Sequence, residues 1–206
     1  MTQPHRPVWH EPAVSREARW SRHELRGATV WLTGLSGSGK STIADGVAKH
    51  LLDSAVLAYV LDADNLRHGL NADLGFSDAD RSENVRRIGE VSRLFADAGI
   101  VVLVPVISPF RDDRDRVRSA HDASGLTFVE VHVATPLSEC ERRDTKGLYA
   151  KVRAGETTGI SGVDAPYEAP TRPDVVVGHT GESVTDSVRR IVEHLRHSGV
   201  LGASDA

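Results

Sequence analysis

The run Gly34-Leu35-Ser36-Gly37-Ser38-Gly39-Lys40-Ser41-Thr42 constrains this chain more than any other feature. It fits the pattern G-x-x-x-x-G-K-[ST], with an apolar β-forming stretch (Ala28 to Thr33) before it and a helical stretch (Ser41 to Leu52) after it. In that context the glycines let successive backbone N–H groups turn inward around phosphate oxygens. The following helix adds the partial positive charge of its N-terminus. Lys40 supplies an ammonium group to the β- and γ-phosphates, and the Ser41 hydroxyl is of the type that ligates Mg²⁺. Gly34 to Thr42 is therefore read as the cradle of a nucleoside triphosphate, with ATP and Mg²⁺ as the implied cofactors.

A strand that feeds a helix through such a loop belongs in a parallel sheet, and the rest of the chain reads the same way. Further apolar runs occur at Ala55 to Leu61, Ile100 to Ile107, Phe128 to Val133 and Asp174 to Val177. They are continuous rather than alternating, as strands covered on both faces are. Helices are expected between them, at Arg81–Ala98, where Val85, Ile88, Val91, Leu94, Phe95 and Ala98 keep helical spacing, and at Arg114–His121, Pro136–Arg143 and Ser183–His197. Gly99 is placed to close the longest of these. The expected fold class is α/β: a P-loop NTPase-like, doubly wound, mostly parallel sheet flanked by helices, with ligands at the carboxyl ends of the strands. Residues 1–26 read as an extension, with a helix around Ser15–Arg26 and the preceding arm on the surface. Residues 27–206 read as one domain. Within it, 144–173 carries Gly147, Gly155, Gly159 and Gly162 plus three prolines and is expected to be a lid.

Bulk properties exclude several alternatives. A formal charge of −4 argues against general nucleic-acid binding, so anion contacts must come from local basic residues. The one cysteine, Cys140, forbids an internal disulfide, and no apolar run reaches the length of a membrane span. A cytoplasmic protein is expected, with no membrane or nucleic-acid partner. None of the ten histidines falls in a metal-ligand pattern; His194 and His197 read as solvated, Cys140 as packing, and Trp9, Trp20 and Trp31 as core or docking residues. No N-K-x-D guanine-reading motif is present, which favours a small-molecule kinase over a GTPase.

The acceptor side is read from two strand ends. Asp62-Ala63-Asp64-Asn65-Leu66-Arg67 follows the second strand, where a carboxylate can accept a hydroxyl proton or hold a metal-bound water. Asp62 and Asp64 are both candidates, and capping of a helix is the alternative use of either. Arg67 and Arg81 are expected to meet anions, and Asn84 to read an amide or hydroxyl edge. Arg86, Arg87 and Arg93 are assigned to a solvated helical face. Arg111 and Arg114 fall in the same basic cluster. Ile107-Ser108-Pro109-Phe110-Arg111 ends the third strand; Ser108 is either a phosphoryl contact or a turn-capping serine.

Taken together these segments resemble the adenylylsulfate (APS) kinase family across nearly the whole chain. The matching pieces are TGLSGSGKST at 33–42, LDADNLRHGLN at 61–71, DRSENVRR at 80–87, ISPFRDDR at 107–114, KGLYAKVRAGE at 146–156 and SGVDAPYEAP at 161–170. The resemblance implies transfer of the γ-phosphoryl of MgATP to the 3′-hydroxyl of adenosine 5′-phosphosulfate, giving PAPS and ADP in sulfate assimilation. It implies an APS site lined by Asp64, Asn65, Arg67, Phe76, Arg81, Asn84, Ile107, Ser108, Lys146, Gly159 and Ile160. Catalytic roles would fall to Lys40, Asp62, Asp64 and Ser108, with Ser41 and, through water, Asp62 on the metal. A serine matching Ser108 is described in the family as a phosphoserine intermediate. In-line transfer needs no covalent stop, so a transition-state contact is expected instead. The lid departs from the family's G-F-T-G, reading Gly159-Ile160-Ser161-Gly162, and the strand-end D-T-P is Ala134-Thr135-Pro136. A homodimer and association with ATP sulfurylase are further implications. The alternatives are another P-loop small-molecule kinase or a non-catalytic nucleotide-binding module.

Overall fold

The computed structural model describes residues 8, 10 and 12–202. Five strands form one sheet: β1 (Ala28–Thr33), β2 (Ala58–Val60), β3 (Val101–Pro105), β4 (Thr127–Val133) and β5 (Val175–Val177). Their order is β2-β3-β1-β4-β5, and every neighbouring pair is parallel. The phosphate-loop strand β1 is thus central, with β3 and β4 on its two sides.

Alternation along the strands divides the interior into two cores. Val30, Leu32, Val101, Leu103, Val129 and Val131 pack beneath α2 (Lys40–Asp53) and α8 (Val184–His197). Trp31, Val102, Val104 and Phe128 face α4 (Asp78–Asp97) and α5 (Arg111–Ala123). This is why the central strands read as continuously apolar: successive side chains enter different cores, whereas Tyr59 on the edge strand β2 is exposed.

Boundaries shift where local hydrogen bonds compete with the ladder. The second strand is shorter than expected because Ala55 takes φ +58° and the Val56 N–H bonds to Leu51 O, so 55–57 completes the exit from α2. The third strand stops at Pro105. Helix α4 begins at Asp78, three residues early, with the Ser77 hydroxyl accepting from Asp80 N. Two short helices escape the sequence reading, α3 (Ala63–Leu66) and α7 (Leu148–Arg153), the latter inside the lid; α6 (Leu137–Arg143) lies as expected.

Part of the extension is a docked helix, α1 (Arg16–His23). Arg16 and Arg19 pair with the Asp97 carboxylate, and the Trp20 indole donates to Asp97 O at 3.0 Å, so α1 caps the end of α4. Trp9 and most of the arm before it lie outside the described residues.

Candidate active site

The phosphate loop joins β1 to α2. Gly34 takes φ +156°, and a Cβ there would stand 2.6 Å from Val133 O, so no larger residue fits. Gly39 occupies the N-cap position of α2 in the left-handed region. Lys40 is buried and donates to Gly34 O at 3.0 Å and Leu35 O at 2.7 Å. Its ammonium thus lies inside the curl of the loop. Burial, followed by the Lys146 charge, pulls its pKa down to about 8. The Ser38 hydroxyl is buried with no partner among the described residues. Thr135 holds the loop from behind by donating to Ser38 O at 2.8 Å.

Across the crevice, Asp62 makes the capping bond foreseen for it and a second bond to the phosphate loop. Its Oδ1 accepts from Asp64 N at 2.8 Å and caps α3, while its Oδ2 accepts from the Ser41 hydroxyl at 2.9 Å. Asp64 stands on the exposed side of α3, and its carboxylate pairs with Lys146 from the lid. Asn65 is exposed on the same turn.

The arginines divide into distinct environments. Arg67 and Arg81 flank Phe76, with their guanidinium carbons 4.3 and 5.7 Å from the centre of a ring that is 68% exposed. Arg67 donates to Gly75 O, and Arg81 to Phe76 O and, across to the lid, to Gly159 O at 2.6 Å. Arg86 and Arg87 pair with Glu83, and Arg87 also with Asp73; Arg93 pairs with Glu90. Arg86 lies on the solvated face expected of it, whereas Arg87 and Arg93 are half-buried and also reach Leu70 O and Ser124 Oγ. Arg114 corrects its placement in the basic cluster. It is 1% exposed and bonds Glu130, Ser108 O and Glu168 O, so it is a pillar between elements rather than a surface cation.

Asn84 is buried, and its Oδ1 accepts from Asn71 Nδ2 at 3.0 Å. Ile107 is half-buried at the crevice wall. Ser108, 1% exposed with φ +43°, is turned inward, accepting from Trp31 Nε1 at 3.1 Å and donating to Thr33 Oγ1 at 3.0 Å. The Ser108 hydroxyl thus faces the interior and Asn84 is likewise buried, whereas Asp64, Asn65 and Phe76 are exposed.

The lid lies over the phosphate loop. Tyr149, raised by burial to about 12, donates its hydroxyl to Ser36 O at 2.8 Å. Gly162 packs so closely on Leu35 that a Cβ would come within 2.5 Å of its side chain. Asp164 accepts from Gly159 N and Ile160 N at 2.8 and 2.7 Å, folding the lid tip into a compact loop. Tyr149, Asp164, Thr135 and Asn71 are contributors that sequence reasoning missed. Nothing in composition or periodicity distinguishes them from packing residues.

Among the described residues no group of three or more His, Cys, Asp or Glu is arranged to hold a metal. A hydroxyl and a carboxylate beside the phosphate loop fit Mg²⁺, which keeps several waters and takes other ligands from the nucleotide phosphates. A cavity of about 450 Å³ between α4 and α5 is lined by Glu83, Arg86 and Glu90 among others and by no residue of the phosphate loop, the 62–67 turn or the lid. No helix of the described residues is long and apolar enough to cross a membrane.

This arrangement matches known proteins throughout. The adenylylsulphate kinase family model matches residues 26–178. A probable adenylyl-sulfate kinase of Halalkalibacterium halodurans is 50% identical over 94% of this chain and 94% of its own length. An adenylyl-sulfate kinase of Lactiplantibacillus plantarum is 51% identical, covering 91% of this chain and 90% of its own. The solved structure of the Mycobacterium tuberculosis APS kinase CysC in complex with AMPPNP and APS superposes with a TM-score of 0.81 at 53% identity, covering 84% of this chain and 99% of that one. With its parallel sheet, its phosphate loop and its lid, this chain belongs to the adenylylsulphate kinase family.

Proposed function

We propose that this protein transfers the γ-phosphoryl group of ATP to the 3′-hydroxyl of adenosine 5′-phosphosulfate, forming PAPS and ADP. The observation that carries the reading is the Ser41–Asp62 hydrogen bond. It joins the phosphate loop to the strand end that bears Asp64, so donor and acceptor sides meet across one crevice.

Residues Gly34 to Thr42 hold the triphosphate, with the loop amides and Lys40 on its β- and γ-oxygens. Ser41 and, through water, Asp62 would hold Mg²⁺, which would supply positive charge to the transferring phosphoryl group. Asp62 has both oxygens engaged, whereas the Asp64 carboxylate is exposed and, among the described residues, pairs with Lys146 alone. We therefore assign Asp64 to the acceptor hydroxyl. The ribose 3′-oxygen attacks the γ-phosphorus in line, the bond to the β-bridging oxygen breaks, and the hydroxyl proton passes to Asp64. Lys146 exchanges Asp64 for a nucleotide phosphate as the substrates enter.

The exposed Phe76 ring between Arg67 and Arg81 suits an aromatic base with anionic groups beside it. Asn65, Asn84 and Ile107 complete the acceptor wall, and Gly159-Ile160 covers the base. Ser108 shapes this wall through its turn, consistent with a hydroxyl proton already used on Thr33. A cytoplasmic homodimer that associates with a sulfurylase completes the proposal, to be checked by sedimentation with and without that partner.

The test is ADP release by the purified protein with Mg²⁺ and APS, adenosine, gluconate or shikimate as acceptor. Turnover is expected with APS alone. Equal or better turnover with another acceptor would replace the reading with that of a different small-molecule kinase.

A further inference from the structure

We propose that Thr33 and Tyr167 are positioning residues for the phosphoryl transfer, joined in a directed hydrogen-bond chain that registers the base of the lid against the phosphate loop and the acceptor wall. The proposal rests on the kinase reading for its catalytic consequence, but not for the chain itself.

The direction of each bond follows from what each group can do. The Trp31 indole N–H only donates, and it donates to Ser108 Oγ at 3.1 Å. The Ile107 carbonyl only accepts, and it takes the Thr33 hydroxyl proton at 2.6 Å. Thr33 has no second proton. In its 3.0 Å contact with Ser108 it must therefore accept, and in its 3.2 Å contact with the Tyr167 hydroxyl it must accept again. Thr33 Oγ1 is the hub: two protons arrive and one leaves. Trp31 and Thr33 are fully buried and Ser108 is 1% exposed, so water cannot replace any of these three without opening the core, while Tyr167 is half-buried at the outer end.

The three segments joined here are those that phosphoryl transfer has to align. Thr33 is the last residue of β1 and directly precedes Gly34 of the phosphate loop. Ile107 and Ser108 form the turn that bounds the acceptor side. Ser108 holds a left-handed φ of +43°, uncommon for a residue with a Cβ, and its carbonyl is pinned by Arg114 NH1 at 2.6 Å. Tyr167 lies in the last part of the lid, its ring beside His132 with centroids 6.3 Å apart. The next residue anchors the backbone: Glu168 N donates to Pro109 O, its carboxylate accepts from Arg111 N, and its carbonyl accepts from Arg114. Glu168 thus fixes the strut to the acceptor turn, while Tyr167 carries it across to β1. Lid, loop and acceptor wall are one hydrogen-bonded unit at this point, and the lid's contacts at Ser36 and Arg81 close in register with it.

Four variants test this: Tyr167→Phe, which keeps the ring, Thr33→Val, which keeps the shape, Thr33→Ser, which keeps the hydroxyl, and the double variant Tyr167→Phe/Thr33→Val. Tyr167→Phe is expected to raise KM for APS about 3- to 10-fold with kcat changed less than about 2-fold. Thr33→Val, which leaves three groups unpaired, is expected to exceed that, Thr33→Ser to stay near wild type, and the double variant to be no worse than Thr33→Val. Amide exchange over 157–170 in the nucleotide-free protein is expected to quicken in Tyr167→Phe and Thr33→Val but not in Thr33→Ser. Additive effects, a Thr33→Ser as impaired as Thr33→Val, or unchanged exchange would overturn the proposal. Should Thr33→Val not fold, Tyr167→Phe decides by the same two measurements. A wild-type protein that makes no PAPS would refute the kinase reading, and the exchange measurement would still judge the chain.

Discussion

Lys40 has the most informative chemistry of any single residue here. Burial, and then the nearby Lys146 charge, lower its pKa to about 8, well under the ordinary 10.5. Triphosphate oxygens favour the charged form, so nucleotide binding must raise that value again. The sign follows: above pH 8 the free protein carries a mostly neutral Lys40 and the complex a charged one, so binding takes up a proton. Calorimetry with a non-hydrolysable ATP analogue in buffers of different ionisation enthalpy is expected to show proton uptake at pH 9 that fades toward pH 7. Lys40→Met should abolish the uptake. The two strand-end aspartates should separate equally well. Asp64→Asn is expected to lower kcat about 10²- to 10⁴-fold with KM for MgATP unchanged, as removal of a proton acceptor does. Asp62→Asn keeps the α3 cap and should act chiefly on Mg²⁺ dependence and KM for MgATP. Steady-state kinetics over a Mg²⁺ series distinguishes the two patterns.

At the scale of elements, the lid is a short helix, a compact tip and an anchored strut, and each part has its own hold on the loop below. The Tyr149 hydroxyl is the hold of α7 on Ser36 O; Tyr149→Phe is expected to raise KM for ATP about 3- to 10-fold, read from initial rates. At the tip, Ile160 offers an aliphatic surface where a ring would stack, and Ile160→Phe is expected to lower KM for APS. Most elements were legible because strands buried on both faces and one long amphipathic helix announce themselves. Helices α3 and α7 were not, since four and six residues are too short to display a period. The candidate carboxylates could be narrowed to a pair but not separated, because choosing between them needs to know which oxygen already caps a helix. The inward turn of Ser108 was invisible for a similar reason. It depends on Trp31 and Thr33, which lie more than seventy residues away and are brought close by the β1–β3 pairing, and on Arg114, six residues on in α5.

Over the whole molecule, two apolar cores on either side of β1 carry the fold, and one buried ion pair ties the acceptor side to β4. Arg114 and Glu130, 1% and 8% exposed at their side chains, meet at 2.8 Å. Neutralising one partner strands the other's charge, so Glu130→Gln is expected to cost about 3 kcal/mol and lower Tm by roughly 10 °C in a thermal melt. The sheet order and the lid together bring a triphosphate cradle and an anion-reading acceptor wall to the same edge, and this meeting is the central claim. It is tested most directly by incubating the protein with Mg²⁺, γ-³²P-labelled ATP and adenosine 5′-phosphosulfate, then locating the label. The account expects the label on the 3′-oxygen of the product, none retained on the protein, and the reaction reduced by at least about 10²-fold in Lys40→Ala. Label held on Ser108, no labelled product, or full turnover without the Lys40 ammonium would contradict it.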